Sequence, residues 1–290
     1  MNRNMPFCFW CILLFLNGAV KVNATPKRNE YPWHQSRVVN HTILDRFTPP
    51  RGATRIRTEA ESYGSWIRRL PLKPNRSPVL LYSGQRKRNQ DLHAAVIDID
   101  IGETDLQQCA DAVIRFRAEY LYGLSPRPKI EFRYTTGDRI NYEKWASGWR
   151  PKVIEYSASG KRRWRVDWHQ NQKPKDDYPT FRAYLNNIFT YAGTASLAKQ
   201  YPKRAIADVE IGDFYLQGGH PGHAVIIVDL AEHPTEGKLA LLAQSYMPAQ
   251  SPHILRNLSE PRLSPWFRVK ASGKIITPEW TFLADEIYHF

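Results

Sequence analysis

Two apolar runs joined by a polar turn stand out in the pattern of hydrophobic and polar positions. Residues 224–230 and 239–243 are almost entirely apolar, and the turn between them contains Pro234 and Gly237. Short apolar runs bounded by turn residues predict two buried strands of a β-hairpin. Another strand pair, rich in aromatic residues, is predicted within residues 153–168, with a Ser-Gly turn.

Two other segments have apolar residues at helical spacing. In the first, Thr104 and Gln107 form a capping box ahead of an apolar stripe that includes Cys109. The second is predicted to start at a Thr180 cap and to bend at Gly193. Strands and helices in this order favour an α+β fold, with a mixed or antiparallel sheet packed against two main helices.

The N-terminus has the pattern of a secretory signal peptide. Arg3 precedes an apolar stretch over residues 5–16, and Val22-Asn23-Ala24 supplies the small residues of a cleavage site. We therefore predict a signal peptide over residues 1–24, a flexible leader over 25–40 and a single domain over 41–290. The apolar stretch is short for a membrane span, so we expect a periplasmic or secreted protein with no integral membrane segment after signal removal.

The chain is strongly basic, with a formal net charge of +13. Such a charge favours polyanionic partners, among them acidic envelope polymers. The basic residues occur in short clusters without a nucleic-acid-binding motif, so no nucleic-acid partner is predicted. The basic turn and interleaved aromatics of residues 153–168 are suited either to packing or to stacking on a sugar.

Polar residues at the rims of the apolar strands predict a site. His223 opens the first apolar run after a glycine corner at residues 218–222, and Gln244 ends the second. A titratable ring in this position is suited to acid and base chemistry. Further candidate binding residues on the same segments are Asp213, Gln217, Gly219, Ser245, Tyr246 and Gln250.

Metal and disulfide chemistry have little support in the sequence. The histidines at 220, 223, 233 and 253 lack the spacing of a zinc site, so no metal or other cofactor is predicted. Signal removal leaves Cys109 without a partner for an internal disulfide. A lone thiol is either a buried core residue or a reactive group, and the sequence leaves both open.

Six separated segments resemble one family. They are DLQQCADAVIRFRAEYLYG, FTYAGTASLAKQY, GDFYLQGGHPGHAVIIVD, LLAQSYMPAQ, SPWF and TPEWTF. Together they are similar to an exported family of the Bacteroidota catalogued as domain of unknown function 4846. The resemblance covers residues 40–290 and implies a single domain in an exported bacterial protein, without an activity.

The segment over residues 211–250 also resembles the papain-like group, which includes NlpC/P60, CHAP and transglutaminase-like proteins. The shared features are a glycine corner, a histidine that opens a strand, and a polar residue on the next strand. The resemblance implies Cys109 as nucleophile, His223 as base and Gln244 as the residue that orients the ring. Pairing of Val225 with Gln244 would place His223, Gln244 and Tyr246 on one face.

Two departures from the papain-like pattern leave the function open. Cys109 lies well inside its predicted helix, and more than 110 residues separate it from His223. The helix nearer the hairpin offers Thr194 and Ser196 as alternative nucleophiles. The first hypothesis is an amidase, peptidase or acyl transferase acting on envelope peptides. The alternative is a non-catalytic module that binds a glycan or peptidoglycan polymer.

Overall fold

The computed structural model describes residues 31–33 and 41–290. The predicted signal peptide and most of the predicted leader lie outside the described residues. Tyr31 and Trp33, which do fall within the leader, are docked onto the domain. The Tyr31 hydroxyl donates to the carbonyl of Trp66 at 2.9 Å, and the Trp33 indole donates to the carbonyl of Asp98 at 2.8 Å. These leader residues are therefore held in place by specific bonds, unlike a flexible segment.

Helices and strands are interspersed as far as residue 208, and the strands from residue 214 onward follow without a further helix in the described chain. The helices are α1 (Ile43–Arg46), α2 (Tyr63–Arg68), α3 (Cys109–Gly123), α4 (Tyr142–Ala146), α5 (Tyr178–Tyr191) and α6 (Thr194–Gln200), with a 3-10 turn at Ile206–Asp208. The strands are β1 (Thr54–Arg55), β2 (His93–Val96), β3 (Glu131–Arg133), β4 (Arg139–Asn141), β5 (Trp149–Ala158), β6 (Lys161–Gln170), β7 (Phe214–Gln217), β8 (His223–His233), β9 (Gly237–Gln244), β10 (His253–Leu255), β11 (Trp266–Arg268), β12 (Lys274–Ile276), β13 (Thr281–Leu283) and β14 (Ile287–Tyr288).

An antiparallel sheet of eight strands forms the centre of the molecule, which confirms the α+β prediction. Its main order is β14-β7-β8-β9-β10-β2, with β1 added on β8 and β11 on β9. The predicted hairpin is β8–β9, and Ile226 lies opposite Ala243 in it. Strands β8 and β9 are buried along nearly their whole length because both of their faces are covered.

The two main helices occupy different layers. Helix α3 packs against β8 and β9, as predicted. Helix α5 packs mainly against α4, and its Phe181 ring stacks on Tyr122 of α3 with ring centroids 4.2 Å apart. The buried face of α5 is aromatic and finds aromatic partners on neighbouring helices, so this helix adds a second layer.

Both helices begin at residues other than those predicted. Helix α3 starts at Cys109, because the Asp105 carboxylate that precedes it accepts hydrogen bonds from the amide of Ala249 and the side chain of Gln108, at 2.6 and 2.9 Å. The Thr104 segment is thereby held as a turn. Helix α5 is capped by Asp177, whose carboxylate accepts from the amide of Thr180 at 2.9 Å.

Arg115 fixes the approach to α3. Its guanidinium is fully buried and donates to Glu119 at 2.8 Å, to the Asp100 carboxylate at 2.9 Å and to Gln107 Oε1 at 2.7 Å. The loop ahead of the helix is therefore tied to the second turn of the helix. These bonds position the residue at the helix start, Cys109.

A second buried charge joins α2 and β1 to the sheet. The Asp229 carboxylate is fully buried on β8 and accepts from Arg68 at 2.7 Å and from Arg55 at 2.9 Å. Burial raises the pKa of Asp229, whereas the two guanidinium groups lower it. The ion pairs thus offset part of the desolvation cost of this carboxylate.

Strands β5 and β6 form a protruding two-stranded hairpin, here called the β5–β6 arm. Ten residue pairs run from Trp149 opposite Gln170 to Ala158 opposite Lys161. Most of its positions are exposed or half-buried, and Trp164 is 48% exposed. The predicted turn at Ser159-Gly160 is confirmed, because both residues have the positive φ that such a turn requires.

Replacement of Arg68 by methionine removes one guanidinium from the buried Asp229 carboxylate. We expect the free energy of unfolding to fall by about 3 kcal/mol, since the buried carboxylate then keeps only Arg55 as a charged partner. Arg69→Met, at the exposed neighbouring position, should change it by no more than about 0.5 kcal/mol. Urea unfolding of the two variants measures the difference, and equal losses would contradict this role of Arg68.

Candidate functional site

His223 and Gln244 meet at one end of the β8–β9 hairpin. Continuing the register of Ile226 with Ala243 by one residue places Val225 opposite Gln244, as predicted. Side chains of alternate residues share a face, so His223 and Gln244 lie on the same side of the sheet. Nε2 of His223 is 2.8 Å from Oε1 of Gln244, and both residues are 2% exposed.

The amide of Gln244 is oriented by Glu279. Nε2 of Gln244 donates to Oε2 of Glu279 at 2.6 Å, and a carboxylate oxygen in turn accepts from Lys87. Because an ionised carboxylate only accepts, the NH₂ group of Gln244 must face Glu279. Its carbonyl oxygen therefore faces His223.

A second histidine is consistent with this orientation. Nδ1 of His253 lies 2.9 Å from the carbonyl of Ser251, so Nδ1 carries the proton and Nε2 has a free lone pair. That Nε2 is 3.5 Å from the NH₂ group of Gln244. The amide of Gln244 thus donates toward both Glu279 and His253.

These bonds assign the proton of His223. Oε1 of Gln244 can only accept, so Nε2 of His223 carries the hydrogen and Nδ1 has a lone pair available as a base. Burial lowers the pKa of His223 to about 4, and the positive charge of Lys87 contributes, although the bond to Gln244 acts in the opposite direction. The ring is therefore neutral at pH 7.

Cys109 is the first residue of α3 and lies beside the same strand end. Burial and the nearby Asp111 raise the pKa of the Cys109 thiol to about 11. The backbone amides of Ala224, which follows His223, and of the helix start act in the opposite direction, because they favour the thiolate. The thiol is 7% exposed and neutral at pH 7. The position of Cys109 at a helix start corrects the expectation that it lies deep in its helix.

Ser245 links the strand end to the helix start. Its hydroxyl is fully buried, lies 3.1 Å from the carbonyl of Gln107 and 2.7 Å from the carbonyl of Gln250. Gln107 lies two residues before Cys109, so this link holds the Cys109 and Gln244 segments together. Ser245 and Gln250, which we predicted as binding residues, are both buried in this link.

Aromatic rings surround His223. Tyr246, Trp280 and Phe282 have ring centroids 4.8, 5.3 and 5.9 Å from that of His223. Gln217, directly opposite His223 on β7, accepts from the Trp280 indole at 3.0 Å. The predicted residues Gln217 and Tyr246 therefore belong to the surroundings of His223.

Asp213 is not part of this group. It precedes β7, whereas Gln217 ends that strand, about 13 Å away at ~3.3 Å per residue. Its carboxylate accepts from Arg204 at 3.0 and 3.2 Å and from the amide of Glu210 at 2.9 Å. Asp213, which we predicted as a binding residue, therefore lies apart from the His223 group, with strand β7 between them.

The alternative nucleophiles have local structural roles. The Thr194 hydroxyl bonds to the carbonyl of Gly219 at 3.2 Å, and the Ser196 hydroxyl bonds to the carbonyl of Gly193 at 2.8 Å. A Cβ atom at Gly222 would lie 2.4 Å from Oγ1 of Thr194, so the corner needs glycine there. Helix α6 and the glycine corner, Gly219 included, therefore set where β8 begins.

Sequence reasoning missed Lys87, Glu279 and Trp280. They come from a loop near the start of the domain and from the segment TPEWTF near its end, far from the hairpin in sequence. The sequence feature that could have indicated Glu279 was its position between a proline and a tryptophan. Nothing in the pattern links that residue to Gln244, because their contact depends on the path of the chain after β11.

The family model described as Domain of unknown function (4846) matches residues 43–289. The chain belongs to this family. No curated protein and no solved structure matches this chain. Its function must therefore be argued from the geometry of the site.

Two further observations concern membrane-spanning helices and metal-binding groups. Over residues 31–33 and 41–290, no helix combines the length and the apolar character needed to cross a bilayer. In the same part of the chain, His, Cys, Asp and Glu side chains form no group of three suited to a metal ion.

We expect the free energy of unfolding to fall in acid, because the buried His223 resists protonation. Its pKa is about 4 in the folded state against 6.5 ordinarily, so between these values the unfolded chain binds a proton that the folded chain does not. Stability from this group is therefore lost as the pH falls from 6.5 to 4, by an amount on the order of 3 kcal/mol. Urea unfolding at pH 7 and pH 4 should show a smaller acid loss for His223→Gln than for the wild type.

An NMR titration of the His223 ring checks this pKa directly. The NMR signal of the His223 ring, assigned from its disappearance in His223→Gln, should remain that of a neutral imidazole down to about pH 5. A midpoint near 6.5 would contradict the burial argument.

Proposed function

We propose that this protein is a cysteine-dependent amide hydrolase or acyl transferase that acts on peptides of the cell envelope. The observation that carries the proposal is the orientation of His223 by Gln244, at a strand end where the backbone amide of the next residue, Ala224, approaches the Cys109 sulfur. Papain-like enzymes use these three roles in the same chain order. The secretory pattern of the N-terminus supports a substrate outside the cytoplasm.

The reaction starts from a neutral pair. As the Cys109 sulfur attacks the carbonyl carbon of an amide, its proton passes to Nδ1 of His223, and the carbonyl electron pair moves to oxygen. The first backbone amides of α3 are unpaired within the helix and carry a partial positive charge, which suits them to stabilise that oxygen. Gln244 accepts from Nε2 and holds the ring while it is charged.

Completion of the cycle returns every proton. Breakage of the carbon–nitrogen bond releases an amine that takes the proton from His223, and an acyl thioester remains on Cys109. Water then attacks the thioester in hydrolysis, or a second amine attacks it in transfer, and His223 removes the proton from this nucleophile. When the new acyl product leaves, the carbon–sulfur bond breaks and the sulfur of Cys109 takes the proton back from His223, which restores the thiol and the neutral imidazole.

Access to the site depends on Tyr246. Its half-buried ring lies beside His223, and the next residue, Met247, is 62% exposed. Cys109 and His223 are nearly covered, and in this proposal the ring of Tyr246 moves aside to let a substrate carbonyl reach them. The loop that carries Tyr246 and Met247 is thus the substrate entrance in this proposal.

A peptidyl vinyl sulfone tests the nucleophile directly. The folded wild-type protein should form one covalent adduct on Cys109, detected by mass spectrometry, and Cys109→Ala should form none. His223→Ala should react about 10²–10⁴-fold more slowly, because the base is lost. The same variants should lose release of amines from purified peptidoglycan.

Thr194→Val is the matched control, since its hydroxyl lies at the start of the other helix, and it should react at the wild-type rate if it is folded. Equal adduct formation in wild type and His223→Ala, or labelling of Cys109 only after denaturation, would overturn the mechanism.

The β5–β6 arm favours a second candidate function, binding of an anionic envelope polymer without turnover. Its strands carry six Lys or Arg residues and two acidic residues. Tyr156 and Trp164 are 40% and 48% exposed, and the guanidinium of Arg165 lies 5.6 Å from the Tyr156 ring. Exposed aromatics beside cations suit stacking on sugars next to anionic groups.

Sedimentation with insoluble peptidoglycan tests this candidate. Trp164→Ala should reduce the bound fraction several-fold, and binding should weaken at high salt because exposed charges are screened. Leu258→Ala removes a side chain of equal exposure outside the arm and should bind like the wild type. Binding that neither salt nor Trp164→Ala reduces would exclude the arm.

A further inference from the structure

A cavity of about 390 Å³ lies away from His223. It is bounded by α2, by Arg117 of α3, by the segment around Asp213 and by Phe290. Strand β7 separates Asp213 from Gln217, which faces His223. This cavity is therefore distinct from the candidate catalytic site.

Arg117 presents unused hydrogen-bond donors at this cavity. Its guanidinium lies 4.9 Å from the ring centroid of Tyr63, 5.4 Å from that of Phe290 and 5.7 Å from that of Tyr120. Stacking on rings uses the faces of the guanidinium and leaves its N–H groups free for in-plane acceptors. Across residues 31–33 and 41–290, Arg117 makes no hydrogen bond or ion pair with a carboxylate or carbonyl.

Tyr63 supplies a second unused donor. Its hydroxyl is buried and has no hydrogen-bond partner within the described residues, and Tyr63 lines the cavity. A buried hydroxyl without a partner costs free energy, so such groups in folded proteins generally await a ligand or water. The nearby Arg204, by contrast, is paired with Asp213 and Glu210.

The remaining lining limits the charge of a ligand. Three carboxylates, Glu59, Glu210 and Asp213, border the cavity beside the guanidinium groups of Arg57, Arg117 and Arg204, so the lining offers no net positive charge for a dianionic group such as phosphate. A single carboxylate matches the planar, bidentate donor edge of a guanidinium. Ile56 and Leu230 add apolar wall, which suits a hydrocarbon side chain on the same ligand.

We propose that this cavity binds a small monocarboxylate with an apolar side chain, such as an N-acylated amino acid or a peptide C-terminus. Arg117 receives the carboxylate, and the Tyr63 hydroxyl donates to an oxygen of the ligand. The apolar group lies against Ile56, Leu230 and Phe290. This inference does not depend on the proposed chemistry of Cys109, because the two sites share no residue.

N-acetyl-leucine is the probe, and its methylamide is the matched neutral control. Titration of the full chain, followed through the ¹⁵N side-chain signal of Arg117, should give a saturable shift with the acid and none with the methylamide. Arg117→Gln, read from thermal stabilisation by the acid, should weaken binding about tenfold or more. Arg51→Gln, which removes an exposed guanidinium outside the cavity, should bind like the wild type.

Tyr63→Phe keeps the ring that stacks on Arg117 and removes only the unpartnered hydroxyl. It should fold normally and bind the acid several-fold more weakly. Equal shifts with acid and methylamide, or no saturable shift up to the solubility limit of the acid, would overturn the proposal. Unchanged binding by Arg117→Gln would do the same, and none of these outcomes depends on the vinyl sulfone result.

Discussion

The antiparallel register of β8 and β9 is the constraint on which the site depends. A slip of one residue would turn Gln244 to the opposite face and leave His223 without its partner. Both strands are apolar and buried, so a slipped register would also move polar ends into the core. The hydrophobic requirements of the hairpin and the chemical requirements of its end therefore select one alignment.

Buried hydrogen bonds hold the start of helix α3 against the end of strand β9. Ser245 connects the carbonyl of Gln107 to the loop after β9, and Arg115 holds the side chain of Gln107 from within α3. Each link is buried, where loss of one partner leaves an unsatisfied group. The position of Cys109 thus depends on contacts made by its neighbours in sequence, and it moves only if several of them break together.

Apolar runs and turn residues predicted the hairpin, the two main helices and the end of the hairpin as a site. The strand alternation also predicted that His223 and Gln244 share a face. The start of α3 was missed because Thr104 and Gln107 satisfy a local capping pattern, while the actual start depends on a contact between Asp105 and a residue 144 positions later. Glu279 was missed for the same reason, since single-residue contacts between distant segments leave no periodic signal.

Burial determines how a cysteine and a histidine could act together here. In a water-poor site, separate charges are costly, so the thiol and the imidazole both remain neutral, with pKa values near 11 and 4. A thiolate and an imidazolium side by side stabilise each other, and the amides near Cys109 favour the anion. The charged pair is therefore best formed together with attack on a substrate carbonyl, when the negative charge passes on to the oxygen. In the proposed mechanism, the thiol therefore stays neutral until a substrate carbonyl reaches it.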